Sequence, residues 1–402
     1  MIRTYSQPIK ATDLIFETSK ESSQIYNQAI ELHKRGVNFK DIGKTIDAEF
    51  DNKFLLAQSR QASYQQYSKD FKSYLEALKS YKSCPDKFSG QPKPPHKIKF
   101  IRSIYFKEEA IKYIDGNLFL SLKKPNDPII VRWTKDLPIP QFASITFDKY
   151  KGWELHLIVE IEQSNEVVEK NDKVMSIDLG VKRVATTFDG TNTITYSGKE
   201  LMSLNNLRNK LTAKTQAKYA NAKKDSRRRK YLKRCLRKNI FKIKNKEKDI
   251  LHKYSRMIVE DAISNNIGTI VIGDCSNTHN KTNCGKNNQR IQQNPEQKLA
   301  KYIDYKFQST GRLVKIISER RTSKTCPECD HVHKNSPKGR IFTCKACGFT
   351  YDRDGVGSVN IYRLEVSLSH DEWLNVVGRL TRPLGIKYIP NLSIKCKTRS
   401  FI

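Results

Sequence analysis

Two short cysteine pairs constrain the fold of this chain more than any other feature of its sequence. Both pairs have the form Cys-x-x-Cys, and fourteen residues separate them: Cys326, Cys329, Cys344 and Cys347. Each two-residue turn presents two thiolates to one ion, and four thiolates close a tetrahedral zinc site that holds a loop without performing chemistry. The spacing therefore predicts a small structural zinc module. His331 and His333 lie between the pairs and are competing ligands.

The charge of the chain predicts a polyanionic partner. The 402 residues carry a formal net charge of +32, far beyond what solubility requires. Nucleic acid is the first candidate, and a membrane surface is the alternative. No apolar run approaches the ~18 residues of a membrane-spanning helix, and the N-terminus lacks the apolar core of a signal peptide. Because paired cysteines in an unexported chain favour metal thiolates over disulfides, we expect a cytosolic protein without a membrane partner.

One helical stretch concentrates this charge. Between Arg208 and Arg256 there are 20 Lys or Arg residues against three acidic ones. A charge run is usually only a solvated face, but unbalanced charge at this density opposes folding unless phosphates neutralise it. The stretch is therefore interpreted as a nucleic-acid-binding surface. Its candidate phosphate contacts are Arg227, Arg228, Arg229, Lys230, Lys233 and Arg234.

The N-terminal part of the chain changes its periodicity at residues 89–95, which are rich in proline and glycine. Before them, apolar residues recur at helical spacing, with Gly36 as a stop and a second helix pair expected over residues 52–81. An aromatic stripe on that second pair is either core or a base-stacking surface. After them the period is two, with a hairpin centred on Asp115-Gly116 and a half-buried strand at 153–161, as in a small β-barrel or sandwich.

Carboxylates accompany several strand patterns in the second half of the chain. Asp178 lies inside an apolar strand that begins an apparent antiparallel hairpin, and Asp274 ends another apolar strand. Glu319 follows the short apolar run 313–317, which suggests a buried strand, and Asp354 precedes a helix. Two-metal cleavage of a phosphodiester needs several carboxylates converging on one point. The alternatives are that Asp178 ends a strand or caps a turn and that Glu319 pairs with a neighbouring arginine.

Four segments together resemble the TnpB family, the OrfB-type proteins encoded by transposons. They are residues 176–180 (Ser-Ile-Asp-Leu-Gly), residues 322–326 (Thr-Ser-Lys-Thr-Cys), the cysteine pairs, and residues 352–355 (Asp-Arg-Asp-Gly). The resemblance covers roughly residues 1–362. It implies a multidomain α+β protein, with a wedge-like β-barrel that carries a helical recognition insert, followed by a RuvC (ribonuclease-H-like) α/β nuclease domain with an inserted zinc ribbon.

The resemblance also implies domain boundaries and catalytic residues. The expected segments are a first barrel strand at 1–12, the helical insert at 13–90, the rest of the barrel at 91–168, RuvC at 169–320 with a basic helical insert at 201–260, the zinc ribbon at 321–350 and the last RuvC motif at 351–364. The first and last catalytic carboxylates are expected at Asp178 and Asp354, with Asp352 a less favoured neighbour. The tail at 365–402 matches no pattern.

One departure from the family bears on activity. Many members have a glutamate directly before the aspartate that ends the second motif strand, where this chain has Gly273-Asp274. Some relatives place that glutamate just before the Thr-Ser-Lys-Thr-Cys segment, where Glu319 stands. We expect Glu319 to be the third magnesium ligand, with Asp274 as a possible substitute.

The resemblance implies an RNA-guided DNA endonuclease that uses two Mg²⁺ ions, a guide RNA from the transposon end and a double-stranded DNA target. In related RNA-guided systems, base pairing reads the target. Two alternatives stay open: a guided DNA-binding repressor that has lost cleavage, which the departure at Gly273 favours, and a transposase that acts directly on transposon ends. The oligomeric state is not predicted.

Overall fold

The computed structural model describes residues 2–85, 88, 90–133, 138–148, 151–160, 171–274, 285–335 and 339–388. The chain divides into two compact units, Met1–Glu162 and Gln163–Ile402, which are described separately. Residues 389–402, the end of the unassigned tail, lie outside the described residues.

Three helices lie within the first unit: α1 (Asp13–Lys34), α2 (Phe39–Glu49) and α3 (Ala57–Ser83). Thr12 caps α1 by accepting a hydrogen bond from the backbone N–H of Ile15 at 3.2 Å, and Gly36 follows its end with φ +90°. The helix pair predicted over residues 52–81 is wrong, since α3 is a single helix and α2 precedes it. The aromatic stripe is core, because Tyr67 is buried and contacts the rings of Tyr26 and Phe39.

Where the structure describes the first unit, seven strands accompany these helices: β1 (Ile2–Pro8), β2 (Ile104–Lys107), β3 (Ile111–Ile114), β4 (Asn117–Leu120), β5 (Ile129–Arg132), β6 (Phe142–Asp148) and β7 (Gly152–Glu160). They form two antiparallel sheets, ordered β1-β7-β6-β2 and β3-β4-β5. The predicted hairpin is confirmed, because Asp115 and Gly116 both have positive φ in the turn between β3 and β4. Since β1 pairs with β7, all three helices are inserted within one sheet, and helices and sheets share a single apolar core.

The described residues of the second unit form eight strands: β8 (Val174–Leu179), β9 (Arg183–Phe188), β10 (Thr193–Ser197), β11 (Thr269–Asp274), β12 (Leu313–Ser318), β13 (Ile341–Thr343), β14 (Thr350–Asp352) and β15 (Leu384–Ile386). Six of them form one sheet in the order β12-β11-β8-β9-β10-β15. Strands β8, β9 and β10 are antiparallel neighbours, whereas β11 and β12 run parallel to β8. Strands β13 and β14 form a separate hairpin.

The helices of the second unit are α4 (Lys199–Ala220), α5 (Arg227–Ser264), α6 (Gly285–Gln292), α7 (Glu296–Gln308), α8 (Arg353–Glu365) and α9 (His370–Gly378). Side chains from α5 and α7 pack on one face of the large sheet, and those of α8 pack on the other. Among the described helices of both units, none has the length and apolar character needed to cross a bilayer.

Two features of this unit differ from the predictions. The strand at 313–318 is present as β12, but it is not buried: Leu313 is 63% exposed and Ile316 64%, because β12 is the edge of the sheet. The tail is also structured over residues 370–386. Its α9 buries Trp373, whose indole N–H donates to the carbonyl of Pro327 at 2.6 Å, and its β15 pairs in parallel with β10.

Candidate functional site

Asp178 lies near the carboxyl end of β8, on the face of the sheet that α8 covers. Side chains alternate along a strand, so Val174, Ser176 and Asp178 share this face, while Met175 and Ile177 enter the core on the other side. The hydroxyl of Ser176 donates to the backbone carbonyl of Ser358 on α8 at 2.7 Å. The helix is therefore fastened to the strand two residues before the carboxylate.

Gly357 allows α8 to approach Asp178 closely. A Cβ atom at Gly357 would lie 2.9 Å from Cγ of Asp178 and closer still to its Oδ2 atom. Real Cβ atoms essentially never show such separations, so the missing side chain is a condition for the observed position of the carboxylate. Nothing in the sequence pattern had singled out Gly357.

Glu319 reaches back along the sheet toward Gly273. Strand β11 lies between β8 and β12, and Gly273 is the register partner of Ile317. A Cβ atom at Gly273 would lie 3.0 Å from Oε2 of Glu319 and 2.9 Å from Cδ1 of Ile361 on α8. The carboxylate of Glu319 thus takes up space that a side chain at Gly273 would need.

Asp274 occupies a different position from the other acidic residues. Ile272 pairs with Ile177 in the parallel ladder, and the next residues along the two strands are Gly273 and Asp178. Alternation therefore puts Gly273 on the face of Asp178, and Asp274 on the face that carries Ile270 and Ile272 into the opposite core. This geometry favours Glu319 over Asp274 as the partner of Asp178.

The two aspartates of the Asp-Arg-Asp segment have different surroundings. Asp352 is the N-cap of α8, since its Oδ1 accepts from the backbone N–H groups of Asp354 at 3.0 Å and Gly355 at 3.1 Å. It also forms an ion pair with Arg183 of β9. Asp354 lies in the first turn of α8, 3.7 Å from Arg183 and 3.2 Å from Arg353. Both aspartates have an arginine partner, but only Asp352 is engaged by the cap bonds, which leaves Asp354 as the better candidate ligand.

The electrostatics of Asp178 bring four carboxylates together. Burial raises the pKa of Asp178 well above its ordinary value, and the charges of Glu319, Asp354 and Glu296 raise it further, while Arg353 lowers it. The predicted set of Asp178, Glu319 and Asp354 therefore shares one environment. Such mutual repulsion is the state that a bound divalent cation relieves.

Glu296 is a carboxylate that the sequence patterns did not reveal. It is the first residue of α7 and is only 4% exposed. Its Oε1 accepts from the amide of Asn294, which also donates to the carbonyl of Gly180 at 2.9 Å, just beyond β8. Only the fold brings this helix start to the end of β8, so no local signal could have identified it.

The carboxylates are spaced differently from the cysteines. Among the described residues, the cysteines are the one group of three or more potential ligands whose donor atoms all lie within 4.8 Å of one another. Among the same residues, the carboxylates do not form such a group.

A cleft of about 610 Å³ opens over Asp178 and Asp354. Cationic side chains contribute to its lining: Lys182, Arg183, Arg290 and Arg353. Acidic and basic groups in one cleft suit a substrate that is itself anionic and meets a cation at the acidic end.

The four cysteines converge as their spacing predicted. The Sγ atoms of Cys326 and Cys347 are 3.6 Å apart, as are those of Cys329 and Cys344. A disulfide would require about 2.05 Å, whereas two sulfurs at about 2.3 Å from a tetrahedral zinc ion are about 3.8 Å apart. The residues therefore fit zinc. The cluster does not include His331 or His333, although His333 contacts the ring of Phe342 and forms a hydrogen bond with Cys344.

Asn360 joins the cysteine module to α8. This buried side chain donates its two amide hydrogens to the carbonyls of Thr322 at 2.7 Å and Thr325 at 2.8 Å. The loop between Glu319 and the first cysteine pair is thereby held by the same helix that carries Asp354. Helix α8 thus carries Asp354 and also holds the loop that follows Glu319.

The basic candidates lie on the first turns of α5, far from any buried residue of that helix, the first of which is Ile243. Of the six, the exposed ones are Arg227, Arg228, Lys230 and Arg234. The half-buried ones, Arg229 and Lys233, lie over the ring of Tyr219 at 5.6 Å and 5.4 Å. The helix therefore presents a cationic surface with few acidic neighbours.

Comparison with known proteins identifies the family. The "Probable transposase" family model, OrfB_IS605, matches residues 156–279, and the model "Cas12f1-like, TNB domain" matches residues 297–361. A TnpB-like protein of Methanocaldococcus jannaschii is 28% identical over 198 residues, which are 48% of this chain and 69% of the relative. These matches support a TnpB-type protein.

Other TnpB relatives and solved structures extend the comparison. The CRISPR-associated endodeoxyribonuclease Cas12f1 of Sulfoacidibacillus thermotolerans is 29% identical over 221 residues, 53% of this chain and 50% of that relative. The Cas12f1–sgRNA–target DNA complex matches with a TM-score of 0.58 at 16% identity, covering 87% of this chain and 82% of the other. CasPhi-2 (Cas12j) bound to crRNA and phosphorothioate-DNA matches with a TM-score of 0.51 at 10% identity, covering 91% of each chain. The TnpB-type chain therefore has the mixed α/β fold of these effectors.

Proposed function

We propose that this TnpB-type protein is an RNA-guided DNA endonuclease of a transposon. Its catalytic carboxylates for the hydrolysis of DNA phosphodiester bonds would be Asp178, Glu319 and Asp354. The observation that carries the proposal is the complementarity between Gly273 and Glu319. The strand residue lacks a side chain, and a glutamate from the next strand fills the space on the face that carries Asp178. A chance surface glutamate would not be expected to occupy this position.

The carboxylates would hold two Mg²⁺ ions, which when bound activate the attacking water and stabilise the leaving oxygen. Asp178 would be a ligand together with Glu319 and Asp354, whose charges both act on it. Arg353 and Arg183 would orient the phosphate that enters the cleft. Asp274 contributes no ligand in this arrangement.

The architecture supports the same proposal. Ribonuclease-H-like nucleases begin with three antiparallel strands and a carboxylate on the first, and β8, β9 and β10 follow that plan. We assign the large sheet to RuvC, the segment 321–350 to a zinc ribbon that closes around one Zn²⁺, and the sheets of the first unit to a wedge-like barrel. Among the described residues, the two sheets of the first unit share no strand pairing, so their closure into one barrel is part of the proposal.

The partners are inferred from the charge and from the relatives. A net charge of +32 needs a polyanion, and the Cas12f1 structure is a complex with guide RNA and target DNA. We assign the cationic surface of α5 to the backbone of a guide RNA from the transposon end, with the DNA target read by base pairing. We propose the prokaryotic cytosol or nucleoid as the location of this activity, because a DNA target is accessible there.

The test is cleavage of a plasmid library by the protein and its copurified RNA in Mg²⁺. Glu319→Ala should abolish cutting and retain RNA binding, whereas Asp274→Ala, the matched control on the other face, should cut. Gly273→Glu combined with Glu319→Ala should recover part of the activity, because a carboxylate returns to the same space. Full activity of Glu319→Ala, or loss in Asp274→Ala alone, would move the third ligand to Asp274.

A second function is favoured by one observation. Strand β11 offers no carboxylate on the face of Asp178, as expected of a guided DNA-binding repressor that has lost cleavage. Target binding with no cutting at any Mg²⁺ concentration would establish that alternative. Excision and joining of transposon ends by the protein without RNA would instead support a direct transposase.

A further inference from the structure

A second cavity, of about 290 Å³, lies between α4 and the segment around α6. Six side-chain amides dominate its lining: Asn205, Asn206, Asn209, Gln289, Gln293 and Asn294. Three residues, Val181, Met202 and Arg290, line both this cavity and the cleft over Asp178. The cavity is therefore a side pocket of the proposed cleavage site.

The lining chemistry distinguishes this pocket from a phosphate site. An amide offers a donor and an acceptor side by side, which is the pattern of a nucleobase edge, whereas an ionised phosphate offers acceptors only and leaves the amide oxygen without a partner. Leu201 and Met202 supply apolar surface that a planar ring can contact. Lys210 and Arg290 also line the pocket, where they can meet the backbone of the same nucleotide.

Some of the amides build the wall of the pocket. Asn209 and Gln293 exchange two side-chain hydrogen bonds at 3.2 Å and 3.1 Å, and Asn205 donates to the carbonyl of Gln293 at 3.3 Å. These bonds join α4 to the end of the α6 segment. By contrast, the side chains of Asn206 and Gln289 form no hydrogen bond with another described residue, and both are exposed.

We propose that this pocket binds one unpaired nucleobase of the DNA strand whose phosphate lies in the cleft, and so sets a base preference beside the cut. The inference rests on the proposed nuclease function and adds a base-reading subsite to it. Adenine is the preferred base, because an asparagine or glutamine amide pairs with its N6 and N7 atoms together.

The experiment uses the RNA-loaded full chain and labelled DNA targets in which one nucleotide at a time, across the region of the cut, is abasic. We expect one position where loss of the base slows cleavage about tenfold, and where adenine is the best of the four bases. The double variant Asn206→Ala with Gln289→Ala should cut the intact target at the rate of the abasic one, and should cut the abasic target like the parent. Gln308→Ala, a solvent-exposed amide on α7 outside the pocket, is the matched control.

The outcomes separate the two proposals. Cleavage with no sensitive position, or a variant that slows intact and abasic targets equally, overturns the pocket and leaves the nuclease intact. If the protein cuts nothing, the nuclease proposal fails. In that case the affinity for each abasic target is measured by fluorescence anisotropy with Ca²⁺ in place of Mg²⁺. One position with reduced affinity supports base binding by the pocket, and equal affinity for all abasic positions refutes it.

Discussion

Gly357→Ala is the most direct test of how α8 positions the acidic site. The substitution adds one methyl group in the interior of the helix, at the point where it passes over Asp178. That methyl carbon would lie 2.9 Å from Cγ of Asp178, and closer to Oδ2, while ordinary contacts begin at 3.4 Å. The carboxylate or the helix must therefore shift, and the shift at the oxygen is up to about 1 Å.

The expected magnitudes differ for activity and stability. A displacement of about 1 Å at a reacting centre can reduce the rate about 10²-fold. Overpacking costs about 1–3 kcal/mol of unfolding free energy, and replacing glycine by alanine in a helix returns about 1 kcal/mol of it. The net change is small beside a typical stability of about 5–15 kcal/mol. The variant should therefore stay folded and bind RNA while cutting poorly.

The assay compares cleavage rate, RNA affinity and urea midpoint for the parent, Gly357→Ala and the control Gly378→Ala. A Cβ atom at Gly378, the last residue of α9, meets no atom within 4 Å, so the control makes the same chemical change without a contact. Parental cleavage by Gly357→Ala would refute the argument that this glycine sets the position of Asp178. Equal loss in both variants would also refute it, because the effect would then not depend on the contact.

Four further predictions concern the surroundings of the site. Asp352→Ala should lower the free energy of unfolding by about 1–2 kcal/mol through loss of the helix cap, whereas Asp352→Asn should keep most of the stability. Equal urea midpoints for Asp352→Ala and the parent would contradict the role of Asp352 as the cap. Cys326→Ser should abolish zinc binding measured by mass spectrometry and expose residues 321–350 to protease, and undiminished zinc content would refute the four-cysteine site. Glu296→Gln should raise the Mg²⁺ concentration for half-maximal cutting about tenfold, whereas an unchanged titration curve removes Glu296 from the site. Burial lowers the pKa of Lys306 to about 8, so folding favours the neutral amine above that pH. The free energy of unfolding of the parent, relative to that of Lys306→Met, should therefore increase as the pH rises from about 8 toward about 10, and should not change with pH below about 8.

Features encoded within a few residues were predictable from the sequence. The cysteine spacing specifies a tetrahedral site whatever surrounds it, and the sulfurs do converge. The Asp-Gly turn requires positive φ and is found where expected. Strand β12 ends at Ser318, directly before Glu319, as its apolar run indicated.

Features that depend on distant parts of the chain were not predictable. An apolar run cannot show whether its strand is central or at an edge, so β12 was expected to be buried. Strand β15 has only three residues and acquires its hydrogen bonds from β10, nearly two hundred positions earlier. Glu296 and Gly357 matter only because the fold brings α7 and α8 to the end of β8, and neither position carries a local signal.

The ordered tail has a practical consequence for anyone who shortens or fuses this chain. The motifs end near residue 362, which makes residue 364 the natural place to cut. Removing residues 365–402 would remove Trp373 and its hydrogen bond to the carbonyl of Pro327, which lies between the first two cysteines. The truncation would also remove β15 and leave the outer edge of β10 open to pairing with another molecule. A reporter or effector domain is better joined after Tyr388, which follows the last strand and whose hydroxyl donates to Asp249 on α5 at 2.8 Å.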